Sequence, residues 1–311
     1  MGSTKTENKP MVLKRLEDLE PGKELDGDNG VDFSIPNDFD MAKFRRGRKF
    51  YFDNFFCTLT AHFFVLVIGM VFPDFLTPLV YTKQSHTPAL ARKRYIATVK
   101  HVASWHFGNV WRPGSDAQKS ILAVRRMHHV VETNLKKDGL ENNLSQYHMG
   151  LVQSAFVAFP IMYPSEFGLR CSDSDLDDYV YFWYGIGHLL GIDSKNNLCT
   201  EGLTQARAFC KQVQDDIYIE CFKKPSDDFF IMTEAVLEGW KDFFKGTLSV
   251  NVIRAYFEEL AGQKRRRLKF PDNMKFVFWK ILFFALRNIP WVAKYFNSLM
   301  RKKFRIDYFE E

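Results

Sequence analysis

The fold class this sequence predicts is all-α: a single helical bundle domain behind a polar, disordered N-terminal tail. Three observations carry that reading. Apolar residues recur at spacings of three and four through most of the chain, no stretch alternates over strand length, and no segment repeats. With 311 residues, 46% of them hydrophobic, the chain can bury one large core or two smaller ones.

Residues 1–40 are rich in Lys, Glu, Asp and Gly without helical or strand periodicity, and read as a mobile tail. No apolar run follows the start, so no signal peptide is expected. Met1-Gly2-Ser3-Thr4-Lys5-Thr6 fits the N-myristoylation pattern. One acyl chain anchors weakly unless a basic patch assists, and Lys43, Arg45, Arg46, Arg48 and Lys49 are placed to supply one. The main domain is expected over 41–262. Its first apolar stretch, 55–72, holds eighteen residues without a full charge, interrupted by His62 and ended by Pro73. That length is at the lower limit for a bilayer span, and a helix apolar all round is either lipid-facing or deeply buried. Pro73, Pro78 and Pro88 then punctuate what reads as a loop-rich link.

The centre of the chain is two helices, 89–107 and 116–136, joined through Gly108 and the turn Arg112-Pro113-Gly114-Ser115, with Ser115 or Asp116 as N-cap. On the first, Arg94, Ala97, Thr98 and His101 fall at i, i+3, i+4 and i+7 and share a face. On the second, Ile121, Val124, His128, Val131 and Leu135 form an apolar stripe, so His128 lies inside it. An inward imidazole facing an inward Arg and Thr suggests a buried cofactor. A core histidine satisfied by a carbonyl is the competing reading.

Further helices are expected over 145–162, whose His148 either faces the pocket or is a packed or half-exposed histidine, and over 176–190, ending at Gly191. The acidic run from Asp173 to Asp178 lacks calcium-loop spacing and suits the positive start of a helix. Gly185-Ile186-Gly187 is no dinucleotide fingerprint, since it neither follows a strand nor opens a helix, and fits close helix or cofactor approach instead. His188 beside it is a second candidate ligand. Helical patterns at 203–222 and 227–244 flank Pro225. In the last segment, 263–311, the basic run Lys264-Arg265-Arg266-Arg267 precedes aromatic residues interleaved with Lys280, Arg287, Lys294 and 301–303. It reads either as an interfacial segment on an anionic membrane or as a helix pair closing the core.

Composition narrows the function classes. The net charge of +6 is modest and no nucleic-acid motif accompanies it. Thirty-one Phe suit a protein hosting a flat or lipophilic guest. Cys57, Cys171, Cys199, Cys210 and Cys221 are odd in number and lack CxxC spacing, which fits core packing in a reducing, intracellular compartment. The expected location is cytoplasmic, or peripheral on a cytoplasmic membrane face such as that of the endoplasmic reticulum. Serine-protease, P-loop and zinc-hydrolase motifs do not occur.

Arg94-x-x-x-Thr98, followed by His128 within Val124-Arg125-Arg126-Met127-His128, resembles the core of the latex-clearing rubber oxygenases and ER-bound oxygenases. Leu144-Ser145-Gln146 with Phe156, then the run from Phe182 to Gly187 with Leu190-Gly191-Ile192, continue the resemblance in order over roughly residues 45–260. It implies a bundle with globin-like helix packing around a haem b pocket. The histidine matching His128 would hold the iron, with the residues matching Arg94 and Thr98 on the distal side as catalytic groups. Arg125, which matches the motif, and Arg126 would reach the propionates. His101 would sit one turn along the distal face. The family's distal lysine falls at Ala97, and its upstream acid has no clear counterpart. The resemblance also favours core over span for 55–72, where family members carry a comparable helix. The implied activity is haem-dependent oxidative attack on, or cleavage of, a C=C bond in a hydrophobic isoprenoid or lipid-like substrate, with O2 as co-substrate. The alternatives are a haem or lipid carrier that has lost catalysis, and a cofactor-free membrane-surface scaffold.

Overall fold

The computed structural model describes residues 16–141 and 143–306, and among these it is helical with no strand. A 3-10 helix, Leu16–Glu24, leads into α1 (Met41–Asp53), α2 (Phe55–Gly69), α3 (Pro73–Tyr81), α4 (Pro88–Phe107), α5 (Asp116–Lys137) and α6 (Gln146–Met162). The chain continues through α7 (Asp173–Leu189), α8 (Leu203–Gln212), α9 (Ile219–Cys221), α10 (Asp227–Gly239), α11 (Val250–Leu260), α12 (Phe270–Asn288) and α13 (Pro290–Phe304).

Local chemistry sets many of the helix starts. Side chains of Asp40, Thr87, Ser115, Ser226 and Ser249 each accept the backbone N–H three residues on, satisfying an orphan donor of the first turn. Ser172 and Asp175 form a reciprocal capping box, which places the acidic run at the start of α7 as its charge predicts.

α2 is the central post. All its residues but His62 and Leu66 are buried, against α6, α11 and α13. Each buried Phe along it contributes roughly 1.5–3 kcal/mol. α1 packs most extensively on α7, and Gly47 makes that possible. A Cβ there would lie 2.1 Å from the Asp178 carbonyl oxygen. The buried Arg48 of α1 donates from Nε to the His106 carbonyl (3.0 Å) and from Nη2 to the Phe107 carbonyl (3.2 Å), closing the end of α4.

Four expectations need correction. The tail is shorter than residues 1–40: residues 1–15, including the Gly2 pattern, lie outside those described, but Leu16–Glu24 is helical with Leu19 buried in the core. The next residues are tied down as well, because the Gly27 N–H donates to Glu132 Oε1 (3.0 Å) and Gln146 Nε2 donates to the Gly27 carbonyl (3.0 Å). The link after Pro73 is helical because Pro73 occupies the first helical position, where its missing N–H costs nothing. The helix expected over 203–222 is interrupted by a π-helical turn, Val213–Tyr218. Cys199, Cys210 and Cys221 recur every eleven residues, a spacing that puts them near one helix face if the segment is continuous; Cys199 lies ahead of α8, so they do not share one.

Candidate functional site

α4 and α5 pack against each other across a cavity of about 730 Å³, within the ~300–1,000 Å³ typical of cofactor sites. From α4, Arg94, Ala97, Thr98 and His101 all line it, as their shared face requires. From α5 come Val124, Arg126, Met127, His128 and Val131. α6 and α7 close the far wall with Gln153, Phe156, Trp183 and Gly187. Gly187 is small for a reason, since a Cβ there would meet Gln153 Nε2 at 2.3 Å.

His128 is half-buried, its accessible area facing the cavity, while its Nδ1 is sealed and has no hydrogen-bond partner. Burial, and then the Arg94 guanidinium, pull its pKa down to about 4. The imidazole is therefore neutral at physiological pH and keeps a lone pair free.

Arg94 is held rather than neutralised. Its Nη1 donates to Thr82 Oγ1 (3.0 Å) and Ser85 Oγ (3.3 Å), and among the described residues it meets no carboxylate. Burial lowers its pKa, and with hydroxyls as its acceptors the guanidinium stands at the cavity wall without a carboxylate beside it among the described residues. Thr98 Oγ1 donates to the Arg94 carbonyl (3.2 Å), leaving its lone pairs to accept. His101 is tethered through Nδ1 to Ser120 Oγ (2.7 Å), which also accepts from Trp105 Nε1 (3.0 Å). Burial depresses the His101 pKa.

Two sequence candidates are moved. Arg125 does not line the cavity: its Nε donates to Asp28 Oδ2 (2.5 Å), with a second bond from Nη2 to Oδ1. Its neighbour Arg126 lines the cavity instead. His188 faces away, with Nε2 against the Ser34 carbonyl (3.3 Å).

Two smaller apolar chambers adjoin the main cavity, and Arg94 borders all three. The first, about 140 Å³, shares His128 and is walled by Val213, Ile217 and Tyr218 of the π turn. His148 lines it, Nδ1 against Ser145 Oγ (2.8 Å) and Nε2 against Asp74 Oδ2 (3.3 Å). The second, about 180 Å³, shares Arg94 and Thr98 and is lined by His62. His62 Nε2 lies 2.8 Å from the Phe156 carbonyl, which also accepts from Tyr179 OH (2.9 Å). A carbonyl only accepts, so Nε2 carries the proton. Burial takes this imidazole to about 4. The sequence marked His62 only as a polar interruption of an apolar run. Its pairing with Phe156 and Tyr179, far along the chain, left no local signal.

Residues 51–220 match the family described as ER-bound oxygenase mpaB/B'/Rubber oxygenase, catalytic domain, a match over more than half of the chain that includes both helices bordering the cavity. The chain belongs to this oxygenase family. A solved structure of a latex clearing protein in the closed state superposes with a TM-score of 0.51 at 13% identity, covering 92% of this chain and 84% of that one. At that identity the likeness shows the fold alone. No curated protein matches the chain.

The α4–α5 cavity suits the haem that the family resemblance implies. It pairs one neutral imidazole with a sealed, unpartnered Nδ1 and a wall of Phe156, Trp183, Val124 and Val152. Arg126 offers a cation for propionates.

Proposed function

We infer that this chain is a haem b-dependent oxygenase whose substrate is a hydrophobic, isoprenoid or lipid-like molecule containing a C=C bond. The observation that carries the reading is the neutral His128 imidazole sharing a cavity with the Arg94 guanidinium and the Thr98 hydroxyl. Bound between α4 and α5, the haem would supply activation of O2. His128 would hold the iron through one ring nitrogen, without first losing a proton at neutral pH. Of the two arginines expected at the propionates, Arg126 alone lines the cavity and would pair with them.

The chain's own groups supply the rest. The Arg94 guanidinium is fixed by two hydroxyls and ready to stabilise negative charge developing on oxygen, where low dielectric strengthens it. Thr98 orients a hydrogen-bonding partner beside it. The apolar chambers below Arg94 suit a hydrocarbon chain and exclude water. Cleaving a C=C bond with one O2 gives two carbonyls, so atoms and electrons balance without an external reductant.

Ala97 favours a second reading, a haem or lipid carrier, because a methyl group stands where the rubber cleavers have a lysine. Spectroscopy and oxygen uptake separate the two. After haem-supplemented expression the purified protein is expected to show a Soret band, absent in His128→Ala, and to consume O2 with a prenylated or polyunsaturated lipid. A Soret band without oxygen uptake on either lipid class would select the carrier. Absence of the band would remove the haem assignment altogether and leave a cofactor-free scaffold.

A further inference from the structure

α12 and α13 each have two apolar sides. On α12, Phe276, Trp279, Phe283 and Leu286 turn into the core. The other side presents Phe270 (77% exposed), Phe284 (69%) and Ile281 (62%), with Met274 and Phe278 between them. On α13, Val292 and Met300 turn inward while Trp291 (71%), Tyr295 (59%) and Leu299 stand out. Single exposed apolar residues are ordinary, but a run of this size marks an interaction surface.

Charge identifies what covers it. From 264 to 306 the sequence holds thirteen Lys and Arg and one acid, Asp272, while the rest of the chain is net acidic. Asp272 is itself engaged, accepting from Ser249 Oγ (2.9 Å). Lys269, Arg287, Lys294 and Lys302 are exposed along the same two helices. A second copy of this face would bring the same positive charge and be repelled. Residues 1–15 are basic too, with Lys5, Lys9, Lys14 and Arg15 against Glu7. The complementary partner is apolar beneath and anionic on top, which describes a lipid bilayer with acidic headgroups.

Among the described residues no single helix is long and apolar enough to cross a membrane; α12 and α13 reach that length and apolarity only together, and they meet at a bend of 107°. Long basic side chains on such helices lay their stems along the apolar layer and keep their charges at the headgroups. We propose that the outer face of α12 and α13 docks this protein on the surface of an anionic bilayer, lying in the interface without spanning it. This inference is independent of the haem assignment.

The test uses the full chain and phosphatidylcholine vesicles with and without phosphatidylserine. Co-sedimentation is expected to favour the phosphatidylserine vesicles by roughly tenfold or more and to weaken as salt rises. The triple variant Ile281→Ser, Phe284→Ser, Trp291→Ser and the double variant Lys294→Glu, Lys302→Glu should each lose at least about tenfold in partition, with circular dichroism and thermal unfolding unchanged, because these side chains are exposed. Lipids brominated in the acyl chain should quench tryptophan emission, and Trp291→Phe should remove that quenching. No vesicle binding would overturn the proposal. So would full binding by the serine variant, which would make the contact purely electrostatic, or self-association abolished by the serine substitutions in a protein that ignores vesicles.

Discussion

His62 offers a quantitative check on the buried interior beside the site. In the folded protein its pKa is about 4, against an ordinary 6.5. Between those values the unfolded chain binds the proton and the folded chain does not, so stability falls as the pH drops through this window. The full difference is about 3 kcal/mol, of which about 2 kcal/mol is already lost at pH 5. Replacing His62 by Gln keeps a donor for the Phe156 carbonyl and removes the titration. Urea unfolding of the wild type and His62→Gln at pH 8 and pH 5 isolates the effect, because every other group cancels in the comparison. The variant is expected to be somewhat less stable at pH 8, by about 1 kcal/mol for imperfect packing and hydrogen bonding. Its loss between pH 8 and pH 5 should then be smaller than that of the wild type by about 2 kcal/mol. An equal loss in both proteins would show that His62 titrates normally, and that the chamber it lines is open to water.

The remaining predictions concern the cavity and its supports. Arg94→Met should lower oxygen uptake by roughly 10²-fold or more while leaving a Soret band in place, as expected for a group that stabilises developing charge and does not hold the cofactor; steady-state oxygen consumption and absorption spectra read the two effects. Arg125→Ala should cost about 1–3 kcal/mol in denaturant unfolding, because it strips the partner from a half-buried Asp28, and should leave haem retention unchanged. Arg126→Ala should do the reverse, weakening haem retention in a transfer assay to apomyoglobin with little change in stability. Gly47→Ala should destabilise the fold by about 1–3 kcal/mol, since α1 must move off the Asp178 carbonyl, and thermal unfolding reads that shift.

Helix identity was legible where its cause is local. Caps such as Ser115 and Ser172 and the stripe from Ile121 to Leu135 are set by residues three or four apart, and α5 forms as they require. The same spacing placed Arg94, Ala97, Thr98 and His101 on one wall of the cavity. Proline misled at Pro73, because the residue that ends a helix interior also starts one. The choice between Arg125 and Arg126 was beyond local reasoning. The two lie about 100° apart on the same helix, and Asp28, ninety-seven residues away, engages Arg125.

By itself the sequence determined the helical class, the family, and the arrangement of an imidazole on one helix toward a guanidinium and a hydroxyl on another. Each depends on periodicity or on residues close along the chain. Tertiary structure alone decided which arginine lines the cavity, that His62 and His148 border its side chambers, and that α12 and α13 turn a second apolar face outward. These depend on contacts between distant segments, whose burial and charge pairing exist only once the bundle has closed.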